Sequence, residues 1–319
     1  MKFLVTGSAG FIGSHLCEAL VKEGHTTVGI DNFDSFYAPV IKRSNLVNLL
    51  GNPLFRFYEC DITDRKSLEQ LKDNYDVVIH LAAKAGVRPS IEDPSGYIQT
   101  NIQGTQHILD LALECKVSKI VFASSSSVYG NNIKIPFSEK DDVGNPISPY
   151  AFTKRAGELM LYNYYHLYAI NSISLRFFTV FGPRQRPDLA IHKFFKSIYN
   201  QTPISVFGDG STYRDYTFVD DIVKGILEAV GLIIKQPNIY EIINIGNNNP
   251  VSLKELIQLI EKVTNKKANL QYKEMQPGDV TGTFADISKA AAMLSYHPAT
   301  SMEEGLIKFN EWYKGHSSV

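Results

Sequence analysis

The chain lacks the features that mark several classes of protein. Among its 319 residues there are only three cysteines, Cys17, Cys60 and Cys115, scattered without metal-like spacing. They read as reduced thiols packed like small apolar groups, as expected of a cytoplasmic protein. Neither sign of charge dominates, and a formal net charge of −1 gives no hint of a surface for nucleic acid or an anionic membrane. No apolar run approaches the length of a membrane span. The opening MKFLV leads directly into a glycine loop, which leaves no room for a secretory signal. Internal repeats and low-complexity stretches are missing too. What remains is the composition of a soluble globular protein. The length exceeds one ordinary core, so one large domain with an appended lobe, or two domains, is expected.

The first positive signal lies near the start. The apolar run Phe3-Leu4-Val5 leads into Thr6-Gly7-Ser8-Ala9-Gly10-Phe11-Ile12-Gly13 and then into the helix-like SHLCEALVKEGH. A second run, Thr27-Val28-Gly29-Ile30, ends in Asp31. Strand, glycine turn, helix and strand in that order bring a helix N-terminus up to a pyrophosphate. Gly7 suits the tight turn, Gly10 the close approach of backbone, and Gly13 the packing of helix on strand. The spacing is Gly-x-x-Gly-x-x-Gly rather than the commoner Gly-x-Gly-x-x-Gly, so its strand–helix context and the following acid carry the argument. Asp31 would accept hydrogen bonds from an adenosine ribose and repel a 2′-phosphate, and no arginine follows it immediately. The competing reading makes Asp31 a mere strand-end turn residue. NAD rather than NADP is the expected cofactor.

Alternation continues. Residues 55–59 read as a strand and Ser67–Leu71 as a short helix, Val77–His80 as a buried strand, 95–115 as one long helix, and 120–123 as a fifth strand. This density implies a parallel sheet covered on both faces, an α/β doubly wound fold of Rossmann type. Ligands in such sheets bind at the carboxyl ends of strands, where Asp61, Ala82, Ala83, Lys84 and the serines after Ala123 fall. His80, among apolar neighbours, reads as a core residue rather than a metal ligand. Asn101 sits mid-helix, where its propensity is poor; a surface position and a tie to the backbone beneath it both fit.

Two stretches carry the chemistry. Ser124-Ser125-Ser126-Ser127 follows the fifth strand, where hydroxyls can line a reaction site. Further on, Pro149 leads into a helix that places Tyr150 and Lys154 four residues apart on one face. A cation about 5 Å away, at an effective dielectric of about 20, contributes roughly 3 kcal/mol. That would bring the phenol from about 10 to roughly 7–8, suited to proton exchange near neutral pH.

These residues together resemble the extended short-chain dehydrogenase/reductase family and, within it, the nucleotide-sugar epimerases. The resemblance runs through TGSAGFIG at 6–13, DN at 31–32, DI at 61–62, HLAA at 80–83, SSSSVYG at 124–130 and YAFTK at 150–154. It continues almost to the end through RFFTVFGPRQRPD at 176–188, FGDGSTYRDYTFVDDI at 207–222 and QPGDVTGTFADISKA at 276–290. It implies a tightly held NAD recycled in each turnover, and a transient ketone at C4 of a UDP-sugar. The cofactor would be met by Gly7, Gly10, Phe11, Ile12, Gly13, Asp31, Asn32, Asp61, Ile62, Leu81, Ala82, Ala83 and Lys84, with Tyr150 and Lys154 at its nicotinamide. By the same resemblance Tyr150 takes the proton of the 4-hydroxyl, Lys154 keeps it acidic, and Ser125 bonds O4.

The family's dehydratases carry an Asp-Glu pair where this chain has Ser126 and Ser127, and its decarboxylases usually carry Glu at the second position, so elimination chemistry is disfavoured. Thr179, where galactose-type epimerases generally have Asn, and the following VFGPRQRPD resemble the UDP-glucuronate 4-epimerase subgroup. A substrate carboxylate suits the hydroxyls of Ser125, Ser126, Ser127 and Thr179 and the guanidinium of Arg88 or Arg186. Each arginine also fits an ordinary surface or phosphate-facing position.

In the second half, Ala190–Phe195 should begin a helix beside the nucleotide, placing His192 near it. The same resemblance puts backbone and apolar contacts to uracil around Val206 and Phe207. Arg214 would clamp the diphosphate, and Asp279 would hold the uridine ribose, with Gln276 a substitute for the arginine that often accompanies that acid in relatives. Asp220 and Asp221 read as acids favoured at a helix start, not as a metal pair. The expected division is an NAD-binding domain over 1–177, with 213–247 partly returning to it, and a smaller α/β lobe over 178–319 for the UDP-sugar. A homodimer through helices 95–115 and 150–168 is also implied. The rivals are 4-epimerisation of neutral or N-acetylated UDP-hexoses, oxidative decarboxylation, and a non-catalytic NAD-sensing or RNA-binding relative, against which the Tyr150–Lys154 pair and the near-neutral charge argue.

Overall fold

A computed structural model describes residues 1–274 and 282–316. The amino-terminal part alternates as the apolar runs require. It contains β1 (Lys2–Thr6), α1 (Phe11–Lys22), β2 (Thr26–Asp31), α2 (Pro39–Ser44), β3 (Phe55–Glu59) and β4 (Val77–His80). Next come α3 (Val87–Glu92), α4 (Pro94–Ile98), α5 (Gly104–Glu114), β5 (Lys119–Ser125), α6 (Pro149–Tyr168) and β6 (Asn171–Phe177). All four residues of β4 are buried, as in a strand covered on both faces, where an unbroken apolar run replaces alternation.

The remaining elements are β7 (Thr179–Phe181), α7 (Ala190–Asn200), β8 (Ile204–Phe207), β9 (Tyr213–Phe218), α8 (Val219–Lys235) and β10 (Tyr240–Ile245). They are followed by β11 (Pro250–Ser252), α9 (Leu253–Thr264), β12 (Leu270–Lys273), α10 (Ser288–Leu294) and α11 (Met302–His316). The main sheet has seven strands in the order β10-β6-β5-β4-β1-β2-β3, and every pairing in it is parallel. This is a Rossmann fold. The order reverses between β1 and β4, and a crevice opens there at the carboxyl ends of the strands. The late strand β10 joins the edge beside β6, while β7, β9 and β11 form a three-stranded sheet and β8 with β12 a two-stranded one.

Between α4 and α5 the chain departs from the single long helix expected over 95–115. Gln99–Gln103 form a π-helical turn with Asn101 at its centre, buried. The Asn101 amide donates to the Lys84 carbonyl at 2.9 Å and to Thr153 Oγ1 at 3.0 Å, while its Oδ1 accepts from the Lys84 N–H at 2.8 Å. Of the two positions open to Asn101 from sequence, the tie to backbone is the one found. His80 packs in the core as expected, between Thr6 Oγ1 at 2.7 Å and Thr105 Oγ1 at 3.0 Å. Asp221, in the first turn of α8, accepts the N–H groups of Ala299 and Thr300. Among the described residues no helix is long and apolar enough to cross a membrane.

Candidate active site

The glycine turn is shaped by contacts that exclude side chains. Gly7 has φ +71°, and a Cβ there would stand 2.9 Å from the Ala82 nitrogen. A Cβ on Gly13 would overlap the Gly7 carbonyl oxygen. Gly10 caps α1 and brings no side chain to bond its first-turn N–H groups, so they face the crevice with the positive end of the helix dipole. At the end of β2, the Asp31 carboxylate accepts from the Ala9 N–H at 3.2 Å and the Phe33 N–H at 2.8 Å. Asn32 donates to Asp61 at 2.8 Å, tying the ends of β2 and β3 together.

At the other end of the crevice stand the hydroxyl and helix groups. Ser148 caps α6 by accepting from the Ala151 N–H at 3.1 Å, with Pro149 at the first helical position. Tyr150 and Lys154 thereby project from the first turns of α6 toward the end of β5. Lys154, only 4% exposed, donates to the Ala123 carbonyl at 2.7 Å. Ser125 donates to Ser127 Oγ at 3.2 Å and accepts from the Ser127 N–H.

A cavity of about 390 Å³ joins both ends. Its walls include Gly7, Gly10, Phe11, Ile12, Gly13, Asp31, Asn32, Ile62, Leu81, Ala82, Ala83, Lys84, Ser125, Tyr150, Lys154, Thr179 and Arg186. A glycine cradle at a helix N-terminus, an acid at the ribose end and a Tyr–Lys–Ser cluster at the far end fit an extended dinucleotide. The profile of the NAD dependent epimerase/dehydratase family matches residues 3–246. The chain belongs to that family.

This epimerase/dehydratase chain has similar relatives along its whole length. The UDP-glucuronate 4-epimerase of Thermodesulfobacterium geofontis (strain OPF15) is 43% identical over 315 residues, covering 98% of this chain and 96% of the relative. The crystal structure of UDP-glucuronic acid 4-epimerase from Bacillus cereus, in complex with UDP-glucuronic acid and NAD, is 40% identical with a TM-score of 0.91 and covers 99% of both chains. A UDP-glucose 4-epimerase from Thermotoga maritima, solved with UDP-glucose, is 32% identical with a TM-score of 0.88, again covering 99% of both chains.

The electrostatics of this epimerase-family site correct one expectation from sequence. Tyr150 is not brought down by Lys154. Burial pushes the phenol above its usual range, and the Ser125 hydroxyl and the Arg186 guanidinium pull it back. The Lys154 nitrogen stands 6.0 Å from the Tyr150 ring centre, and burial brings the lysine itself down to about 7. The spacing argument set a cation about 5 Å from the phenol at an effective dielectric of about 20 and left out the cost of enclosing both groups, whereas this lysine is buried and held by a backbone carbonyl. Arg186 is gripped by Asp188 through Nε at 2.9 Å and Nη2 at 2.7 Å, donates to the Ala85 carbonyl at 3.2 Å, and lies 4.9 Å from the Phe36 ring centre.

Other expected residues do not wall this cavity. Asp61 is one step removed, bonded to Asn32 and to Thr63. Ser126 and Ser127 form a 3₁₀ turn beside it, and Arg88 is exposed on α3. Val206 is buried in β8 beside Phe207, and Arg214 Nη1 turns to the Tyr213 carbonyl at 2.8 Å. The His192 ring packs edge-on against Phe309, Trp312 and Tyr313 of α11. Asp279 lies outside the described residues.

Sequence reasoning missed Lys42, Phe36, Tyr37, Phe178 and Leu189 as wall residues. Lys42 donates to the Asp34 carbonyl at 2.8 Å, with its nitrogen 4.7 Å from the Tyr37 ring centre. Asp31 therefore has a buried cation in its surroundings, although none follows it closely in sequence. No local pattern marks these positions, because α2, which carries Lys42, and the loops that carry the others reach the crevice along paths set by the whole sheet.

Proposed function

We propose that this protein interconverts UDP-sugars at C4 with NAD, and that its sugar is a uronate, UDP-glucuronate passing to UDP-galacturonate. The observation that carries the reading is that Tyr150, Ser125 and Lys154 meet on one cavity with the glycine turn and Asp31. When bound there, NAD supplies the acceptor and then the donor of the C4 hydrogen. Tyr150 takes the proton of the 4-hydroxyl, and Ser125 holds the same oxygen as it becomes a carbonyl. Lys154 offers its charge to that end of the cavity from a fixed position on the Ala123 carbonyl. Inversion requires the 4-keto sugar to turn over while its nucleotide stays held, and Val206, Phe207 and Arg214 in the smaller lobe are assigned to that hold. Thr179 and Arg186 share the cavity with Ser125 and supply the donors a uronate carboxylate requires, in keeping with the similarity to UDP-glucuronate 4-epimerases.

Incubation with UDP-glucuronate and NAD, followed by NMR of the products, tests the reading. UDP-galacturonate is expected, and Tyr150→Phe should reduce its formation by a factor of roughly 10³ or more. A UDP-pentose product would point to decarboxylation, and turnover of UDP-glucose alone to a neutral-sugar enzyme. The protein acts as a cytoplasmic homodimer in this reading. Its cysteines are free thiols, and Ile98, Phe152, Leu159 and Tyr162 expose apolar surface on α4 and α6.

A further inference from the structure

We infer that Glu158 is a positioning residue for the reaction, setting the register on β5 of the helix α6 that carries Tyr150 and Lys154. The inference rests on the roles proposed above for Tyr150 and Lys154. Tyr150, Lys154 and Glu158 follow one another at intervals of four along one helix, so they share a face. Each reaches one of three consecutive residues of β5. Tyr150 meets the Ser125 hydroxyl, Lys154 bonds the Ala123 carbonyl at 2.7 Å, and Ser124 Oγ donates to Glu158 Oε1 at 2.7 Å. A slip of the helix at any of these points disturbs the other two.

Glu158 is itself held on all sides. It is fully buried, and Arg176, 1% exposed, donates to Oε1 through Nε at 2.8 Å and to Oε2 through Nη2 at 2.9 Å. Arg155 adds a bond to Oε2 at 2.9 Å. Arg176 stands between Ser124 on β5 and Asn244 on β10 in the sheet register and lies 4.9 Å from the Tyr129 ring centre. Tyr129 in turn donates to Asn244 at 2.7 Å. A rung of polar residues therefore crosses the sheet directly beneath the reacting strand. Packing alone is served as well by apolar residues of similar volume, which avoid the desolvation of two charges. The charges at this place have a use if they act on the site above them.

The surroundings of Lys154 show what that action is. From α6 it has Tyr150 and Glu158. From β5 it has the Ala123 carbonyl and the Phe122 ring, whose centre is 5.1 Å away. His80 on β4 is kept neutral by burial. Arg176 on β6 is engaged by Glu158, and Arg186 in the loop after β7 acts on Tyr150. Glu158 is the acid that favours the ammonium against burial.

Glu158→Gln preserves shape and removes the charge. In the NAD-loaded enzyme kcat should fall at least about tenfold with KM within about threefold, since the lost interaction serves the transition state. The alkaline limb of kcat should move to lower pH as the Lys154 ammonium loses its acid. In ¹³Cζ-tyrosine NMR the Tyr150 resonance, identified through Tyr150→Phe, should titrate at higher pH as the helix slips and its bond to Ser125 loosens. If that variant does not fold, Glu158→Leu with Arg176→Met removes both buried charges and should melt near the parent yet show the same kcat loss. Ser124→Ala cuts the same rung by one hydroxyl and should lower kcat in the same direction. Parental kcat and pH profile in any folded member of this set overturn the inference. Parental activity in Tyr150→Phe would instead overturn the reading of the reacting pair and leave the placement of Glu158 standing.

Discussion

His80 shows at the scale of one residue how enclosure governs titration in this protein. Its ring lies between two threonine hydroxyls in the core, and burial brings it down to about 3. An unfolded histidine binds its proton near pH 6.5, so between about 6.5 and 3 the unfolded chain holds a proton that the folded one refuses. Stability from this group is therefore complete above pH 6.5 and is lost as pH falls, by up to about 1.4 kcal/mol per unit. Urea unfolding at pH 7 and pH 5 should show the parent losing roughly 2 kcal/mol more than His80→Gln over that interval. Equal losses in the two proteins would mean that the ring already takes up a proton in the folded state. The same enclosure explains Lys154, whose charge is opposed by burial and supported by Glu158.

At the scale of elements, the interrupted helix between α4 and α5 joins packing to the site. Its π turn carries Asn101 inward, where three hydrogen bonds fasten the Lys84 backbone at the cavity wall to Thr153 on α6. Gly104 opens α5 close against Ile62, where a Cβ would come within 2.6 Å of the isoleucine side chain. A regular helix would rotate both residues off these partners. Asn101→Ala leaves the Lys84 N–H and carbonyl unpaired in a partly buried place and should cost about 2–3 kcal/mol. Equilibrium unfolding measures that, and calorimetric titration should find weaker NAD binding as the Lys84 segment loosens. A variant within about 0.5 kcal/mol of the parent would show that the turn is held by other means.

Across the whole molecule, the chain leaves the main sheet after β6 and returns to it as β10. The loop after β7 is held to α1 by the Arg184–Glu18 ion pair at 2.7 Å and by His15 against the Pro183 carbonyl at 3.0 Å. The cavity thus has walls from both halves of the chain, Thr179 and Arg186 facing the glycine turn and Asp31. On the outside, α6 exposes Leu159 and Tyr162, and α4 exposes Ile98. Light scattering of the parent should give twice the 35.7 kDa of one chain. Leu159→Glu places a charge in that apolar face and should shift the mass toward the monomer. A monomeric parent would remove the dimer from the functional reading.

The alternation of strands, the glycine turn, Asp31 and the Tyr150–Lys154 spacing were all legible in the residues alone. Each is a local pattern whose period or spacing follows from backbone geometry, and that was enough for the doubly wound sheet and the cofactor crevice. Lys42 beside Asp31, the inward turn of Asn101 and the Arg176–Glu158 pair beneath the site required the fold, because helices, turns and strands meet there only once the sheet is packed. The direction in which Tyr150 titrates also required it. A charge's distance can be guessed from helical spacing, but the solvent removed around both groups is set by everything packed over them.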